Sequence, residues 1–359
     1  SQLAQNSLNL TCGSAILIEQ STGKILYEHN IHEQLRPASV TKIMTVLLIM
    51  EAIDSGRLSY TDQIPCSENA SSMGGSQIWL DTKETLSVDE MLKAICVVSA
   101  NDCTVAMAEY LAGSEENFVA QMNAKAKELG MNDTTFKNCH GIDEDRHVSS
   151  SYDIALMSRE LLEKHPDITK YTTIYMDSLR DGKSELVNTN KLIRNYRGAT
   201  GLKTGSTSLA LYNLSASATL DGLSLIAVIM KAPTTKDRFA EATKLLDYGF
   251  SNYSYKTFAK KGDTIKEIPI SKGVSSSVSA VLSGDAGVLL KKGEESNIVQ
   301  NVNLPEEITA PINEGDKLGE ISYSLNGEII ATIDIVAKNS VAKIDLPHML
   351  QYVFNSWIS

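Results

Sequence analysis

The chain has 359 residues, long for one domain and suited to two. Its 42% hydrophobic and 21% charged content is an ordinary globular balance, with enough apolar mass for a sizeable core. A formal net charge of -11 argues against nucleic acid, whose phosphates need a basic surface, and against electrostatic docking to an anionic membrane.

No charged-then-apolar leader opens the chain, and no run approaches the ~18 apolar residues of a membrane span. Two readings follow, a cytosolic chain or one whose signal peptide has been removed; the polar opening at Ser1, without Met, fits the second. Near the start, Ser14–Glu19 alternates and meets Ile25-Leu26-Tyr27 across a turn holding Gly23, which predicts a β-hairpin. Residues 39–55 place Ile43, Val46, Leu47 and Met50 at helical spacing, closing at Gly56. Further helices are predicted near 87–97, 102–112, 115–129 and 152–164. Apolar runs at 210–219 and 223–231 read as strands paired across Asp221-Gly222, and Lys236–Tyr248 as a helix ended by Gly249. Beyond about residue 255 the segments Ile265–Ile270, Val274–Leu282, Ile298–Leu304, Ile321–Tyr323 and Ile329–Val336 alternate between turn residues, which predicts a small all-β domain. In the tail, Met349, Leu350, Val353, Phe354, Trp357 and Ile358 form one apolar helical face. That face fits a docked terminal helix or an interfacial anchor touching the membrane, although no Lys or Arg follows Lys343 to support the anchor.

The five cysteines (Cys12, Cys66, Cys96, Cys103, Cys139) are odd in number and form no Cys-x-x-Cys pair, so they read as small buried hydrophobes. His140 lies beside Cys139, but thiol–imidazole pairs are assembled in space rather than in adjacent positions. The remaining histidines form no ligand cluster, so neither a metal nor another cofactor is expected.

Three short motifs carry chemistry, and each is weak alone. Ser-x-x-Lys occurs at Ser21–Lys24, Ser39–Lys42 and Ser340–Lys343; Ser-x-Asn occurs four times; only Lys203-Thr204-Gly205 is unique. Context selects among them. Ser21–Lys24 lies in a predicted turn and Ser340–Lys343 after the last predicted β segment, whereas Ser39–Lys42 opens an apolar helix just after Pro37. Residues three apart share a helical face, so the Lys42 ammonium can reach the Ser39 hydroxyl, and free N–H groups at the helix start suit an oxyanion. A serine needs a base, and lysine serves only when burial or a neighbouring cation lowers its pKa; Lys203 would be that cation if its strand lines the same cleft. Ser99 and Asn101, at the start of another predicted helix, offer a hydroxyl to relay the proton and an amide to hold a peptide. Thr204 adds a donor for a carboxylate, and Gly205 lets a ligand approach the strand edge.

This ordered set resembles the signature of penicillin-binding proteins and serine β-lactamases. The segments Arg36–Thr45, Val98–Asp102, Asn138–Asp143, Gly201–Gly205 and Arg238–Phe250 are similar to the low-molecular-mass D-alanyl-D-alanine carboxypeptidases, closely over about residues 10–255 and more loosely beyond. The resemblance implies an α/β (α+β) catalytic domain at 1–255, with an antiparallel sheet flanked by helices and a helical subdomain between the first and second motifs. A small β domain at 256–343 and the helix at 344–359 would follow. It implies that Ser39 is acylated, Lys42 deprotonates it, and Ser99 with Lys203 passes the proton to the leaving D-alanine. Arg238 and Thr204 would hold the terminal carboxylate, Asn101 the substrate backbone, and the N–H groups of Ser39 and Ser206 the oxyanion, at on the order of 3 kcal/mol each. The partners implied are peptidoglycan stem peptides ending in D-Ala-D-Ala and β-lactams, at the outer face of the bacterial cytoplasmic membrane. After Gly205 the chain reads Ser206-Thr207-Ser208-Leu209, where many relatives have Gly and Cys further along, so the peptide groove is its own.

Two rival functions share parts of this pattern. A β-lactamase would need a deacylating base such as Glu-x-x-x-Asn in a loop between the second and third motifs; the one such spacing, Glu128–Asn132, ends a predicted helix. A catalytically silent wall-binding module would not need all three motifs intact.

Overall fold

A computed structural model describes residues 8–345 together with Pro347, Leu350, Phe354 and Trp357. Strands β1 (Ser14–Glu19) and β2 (Ile25–His29) form the expected hairpin, with Gly23 at φ +72°. The buried Glu19 carboxylate closes its turn by accepting from the backbone and hydroxyls of Ser21 and Thr22. Ser21 is thereby engaged in a turn by the Glu19 carboxylate.

The other strands of this sheet come from the middle of the chain: β3 (Ala199–Thr207), β4 (Leu211–Leu220) and β5 (Leu223–Ala232). The order is β2-β1-β5-β4-β3, antiparallel throughout, which puts the Lys203-Thr204-Gly205 strand at an edge. Both residues of the β4–β5 turn, Asp221 and Gly222, have positive φ (+50° and +80°), the type I′ geometry that Asp-Gly favours. The central strand β5 runs through Leu225, Ile226, Val228 and Ile229, all without exposure.

Between the first and third motifs the chain holds two short strand pairs, Gln63–Pro65 with Thr85–Ser87 and the hairpin Met176–Leu179 with Ser184–Val187, but its main elements are helices, which reach past the second motif instead of ending at it. They are α1 (Lys42–Asp54), α2 (Val88–Val98), α3 (Asn101–Ala112), α4 (Glu115–Glu128) and α5 (Ser151–Lys164). Start signals in the sequence explain three of them: Ser87 with Glu90 forms a capping box, and Ser114 and Ser150 cap α4 and α5. Helix α1 is buried on nearly all sides, not along the single stripe its spacing suggested, so it runs through the core. Helix α6 (Thr235–Asn252) continues past Gly249, which does not end it. A Cβ there would lie 2.4 Å from Leu225 Cδ1, so this glycine lets helix and sheet approach closely.

The chain divides into two compact units after Ser251. The second holds β6 (Tyr253–Ala259), β7 (Thr264–Ser271), β8 (Ser277–Leu282), β9 (Ala286–Lys291), β10 (Ile298–Asn303), β11 (Ile308–Thr309), β12 (Lys317–Leu325) and β13 (Glu328–Ala337). Six of these form a sheet of order β10-β12-β13-β8-β7-β11, and β6 pairs with β9. Its core gathers Ile268, Leu282, Ile335 and Tyr323, with Tyr323 stacked on Phe258 at 4.6 Å between ring centroids. The pair β6–β9 was not foreseen, because Tyr253–Ala259 carries little burial alternation. In the predicted tail helix, Leu350, Phe354 and Trp357 are helical and exposed, while Met349, Val353 and Ile358 lie outside the described residues. No described helix is long and apolar enough to cross a membrane.

Candidate active site

Ser39 lies in a short 3-10 turn, Ala38–Thr41, that runs directly into α1 at Lys42. The turn keeps the three-residue spacing tight, and Lys42 Nζ donates to Ser39 Oγ at 2.9 Å. Ala38, just before the nucleophile candidate, has φ +50° although it is not glycine, a conformation that clusters at functional sites. Ser39 itself is half-buried, whereas Lys42 has no exposure.

The second motif forms an elbow between α2 and α3. Ser99 is the left-handed C-cap of α2 (φ +62°), not the start of a helix as expected, and Asn101 is the first residue of α3. The elbow turns the Ser99 hydroxyl to within 3.0 Å of Lys42 Nζ. Asn101 Nδ2 donates to Gly74 O at 2.9 Å, and its Oδ1 is buried without a partner among the described residues. An orphaned acceptor of that kind suits an incoming amide N–H.

The third motif completes the cleft from the edge strand β3. Lys203 is buried, and its ammonium donates to Thr204 O at 3.0 Å instead of reaching Ser99. Gly205 lies against the serine turn: an added Cβ would be 2.7 Å from Ser39 N and 2.8 Å from Val40 N. Ser206 follows, exposed at the strand edge. Arg238, near the start of α6, is buried; Nη1 donates at 3.4 Å to Gly205 O and at 3.3 Å to Asn213 O, and Nε has no partner among the described residues. Its guanidinium rests 4.8 Å from the Phe239 ring centroid and 5.5 Å from that of Tyr212.

Three cations in an apolar surround cannot all keep ordinary pKa values. Burial holds Lys42 well below the usual lysine range, and the neighbouring Lys203 charge lowers it further. Lys203 is itself lowered to about 7, by burial and then by Arg238. Burial also brings Arg238 down to about 10. Lys42 is thus a lysine that gives up its proton far more readily than one in water, next to two serine hydroxyls.

The sequence did not reveal the third acceptor of Lys42, the backbone carbonyl of His140 at 2.9 Å. Nothing in side-chain chemistry signals a carbonyl, although Gly141 beside it was a clue: at φ +100°, its added Cβ would collide with Ala38 O. The His140 ring is buried, with Nε2 3.4 Å from Glu115 Oε1. Cys139 Sγ also faces Glu115, and burial pushes that thiol well above its usual range. All five cysteines are buried and free. Glu128, the residue a β-lactamase reading would use, is two-thirds exposed and paired with Lys125 at 3.0 Å.

A serine and a lysine on one turn, a second serine beside that lysine, and an antiparallel sheet edge behind them define a serine hydrolase of the penicillin-binding-protein fold. The chain belongs to the D-alanyl-D-alanine carboxypeptidase family, S11. The family's profile matches residues 1–234, and one described as the penicillin-binding protein 5 C-terminal domain matches residues 253–343. The chain is 46% identical to the D-alanyl-D-alanine carboxypeptidase DacF of Bacillus subtilis, over 96% of this chain and 89% of the relative. Penicillin-binding protein 5 of Haemophilus influenzae superposes with a TM-score of 0.78 at 31% identity, covering 93% of this chain and 98% of that one. Penicillin-binding protein D2 of Listeria monocytogenes, solved in an ampicillin-bound form, has a TM-score of 0.63 at 31% identity, over 68% of this chain and 99% of its own.

Proposed function

We propose that this carboxypeptidase releases the terminal D-alanine of peptidoglycan stem pentapeptides through an acyl-enzyme on Ser39. The observation that carries the reading is Lys42 Nζ, buried and within 3.0 Å of both Ser39 Oγ and Ser99 Oγ. In its neutral form Lys42 takes the Ser39 proton as Oγ attacks the carbonyl between the two D-alanines. The N–H groups of Ser39 and Ser206 hold the oxyanion. Ser99, with the Lys203 charge in the same site, hands its proton to the nitrogen of the departing D-alanine and takes the one held by Lys42 in return, which leaves Lys42 neutral for the next step. Water, deprotonated by Lys42, then cleaves the ester and frees Ser39. Arg238, Lys203 and Thr204 meet the terminal carboxylate, and Asn101 the peptide backbone. In this reading the unit that ends at Ser251 is the catalytic domain and the unit that follows is a separate β domain.

A β-lactam presents the same acyl group and carboxylate, so it esterifies Ser39 and is released slowly. The ampicillin-bound Listeria relative supports this. The exposed, ion-paired Glu128 offers no fast deacylating base. Such a substrate puts the protein in wall maturation at the outer face of the cytoplasmic membrane, and the exposed Leu350, Phe354 and Trp357 favour peripheral membrane contact. The test is mass spectrometry of products from a wall pentapeptide, with and without an amine acceptor. Free D-alanine and tetrapeptide from wild type, with none from Ser39→Ala, is expected; full release by Ser39→Ala overturns the assignment. Deleting residues 344–359 is expected to leave penicillin binding intact and abolish liposome association.

A further inference from the structure

The segment Asn188-Thr189-Asn190 is held far more firmly than a connection between a short hairpin and a strand requires. Asn188 is buried, with Nδ2 donating to Ile174 O at 2.8 Å and Oδ1 accepting from Asn190 N at 2.9 Å. Asn190 is buried too, with Nδ2 donating to Gly201 O at 3.0 Å and Oδ1 accepting from Leu192 N at 3.1 Å. Between them Thr189 donates its backbone N–H to Val97 O at 3.1 Å, two residues before Ser99. The segment is therefore a strut joining the helix that carries Ser99 to the strand that carries Lys203. Its middle side chain is exposed, and the Thr189 hydroxyl lies 2.7 Å from that of Thr204.

Building on the reading above, we infer that Thr189 is a positioning residue that orients the Thr204 hydroxyl toward the substrate's terminal carboxylate. A hydroxyl has one proton, and a carboxylate only accepts. When Thr189 donates to Thr204 Oγ1, the Thr204 proton is free for the anion, and the chain of two hydroxyls is polarised in one direction. Lys203 and Arg238 draw the carboxylate in by charge, but a charge does not fix an orientation; the hydroxyl pair does. Thr204 is nearly buried, so it has little other company to set its rotor. Thr189 thereby makes the cleft selective for chains ending in a free carboxylate.

The experiment compares Thr189→Val, which keeps the shape and removes the hydroxyl, with Thr189→Ser, which keeps the hydroxyl. Each is measured on a peptide ending in D-Ala-D-Ala, on benzylpenicillin and on benzylpenicillin methyl ester, with a thermal melt alongside. Loss of one hydrogen bond predicts about a fivefold to tenfold lower kcat/KM for Thr189→Val on the free acids, mostly in KM. The methyl ester is expected to change less than twofold, the melting midpoint to stay put, and Thr189→Ser to recover most of the loss. An equal loss on acid and ester, no loss on the acids, or no recovery by serine overturns the inference. Ser39→Ala run in parallel separates the two levels: a covalent penicillin adduct on that variant refutes the reading of the site itself.

Discussion

Gly205 presses its bare Cα against the backbone of Ser39, so that a methyl group at 205 would sit 2.7 Å from Ser39 N and 2.9 Å from Pro37 O. The obstacle is backbone, which cannot swing aside as a long side chain can. Gly205→Ala must therefore separate β3 from the serine turn by a fraction of an ångström or more. Misplacement on that scale costs up to about 10²-fold in rate, and overpacking about 1–3 kcal/mol in stability. The expected result is a folded protein with a lowered melting point and a penicillin acylation rate down by roughly that 10² factor. An alanine variant acylated at the wild-type rate would show that the contact does not position the serine.

Lys203 gives a pH signature whose sign is fixed by burial. Its pKa in the fold is about 7, against 10.5 when free in water. Below about 7 the fold carries a buried ammonium; between 7 and 10.5 the unfolded chain holds the proton more tightly than the fold, so stability rises with pH across that window. Lys203→Met removes the buried charge, and it is expected to stabilise the protein at about pH 6, with the gain fading toward about pH 10. Chemical denaturation across that range measures it. The same variant removes one cause of the low Lys42 pKa, so the ascending limb of its slow acylation is expected to move to higher pH. An unmoved limb would mean that burial alone tunes Lys42.

How far the site was legible in the sequence depends on what each residue contributes. Ser39, Lys42, Ser99, Asn101 and Lys203 are singled out by side chains of distinctive chemistry at local spacing, and the fold sets Lys42 against Ser39 and Ser99, with the Lys203 charge near it and Asn101 two residues on from Ser99. Arg238 was singled out by the resemblance of Arg238–Phe250, whereas its burial was not legible, because that follows from how α6 packs. The His140 carbonyl and Thr189 were not legible. One offers a backbone atom and the other is a threonine some fifteen residues from its hydrogen-bond partner, and neither leaves a local pattern. In the fold, the Asp221-Gly222 hairpin was readable because two consecutive positive φ values demand such residues. Gly249 misled because a glycine packed against a strand looks, in sequence, like a glycine that stops a helix.

Arg238 separates charge from packing. Its stem and guanidinium cover Phe239 and Tyr212, and its two hydrogen bonds are long, at 3.3 and 3.4 Å. Arg238→Met keeps an apolar side chain over the rings and discards a desolvated charge, so stability is expected within about 1 kcal/mol of wild type. Acylation by free-acid β-lactams is expected to fall by about 10- to 100-fold, the loss of a charge-assisted bond to the carboxylate. The two numbers are read by thermal melting and by stopped-flow acylation. A variant that unfolds instead would make Arg238 a structural residue.

Tyr323 tests whether the β unit and the chemistry are energetically separate. The ring is fully buried and stacked on Phe258, and its hydroxyl has no partner among the described residues. Tyr323→Ala removes the ring and is expected to lower the stability of that unit by about 3–5 kcal/mol. Tyr323→Phe removes only the orphaned hydroxyl, whose burial is unfavourable, and is expected to match or exceed wild type. Every residue assigned to the site lies between Ser39 and Arg238, inside the first unit. Both variants should therefore be acylated by benzylpenicillin at the wild-type rate, even while Tyr323→Ala shows a separate, earlier unfolding transition. Loss of acylation in step with that transition would mean that the catalytic unit depends on the β unit for its fold.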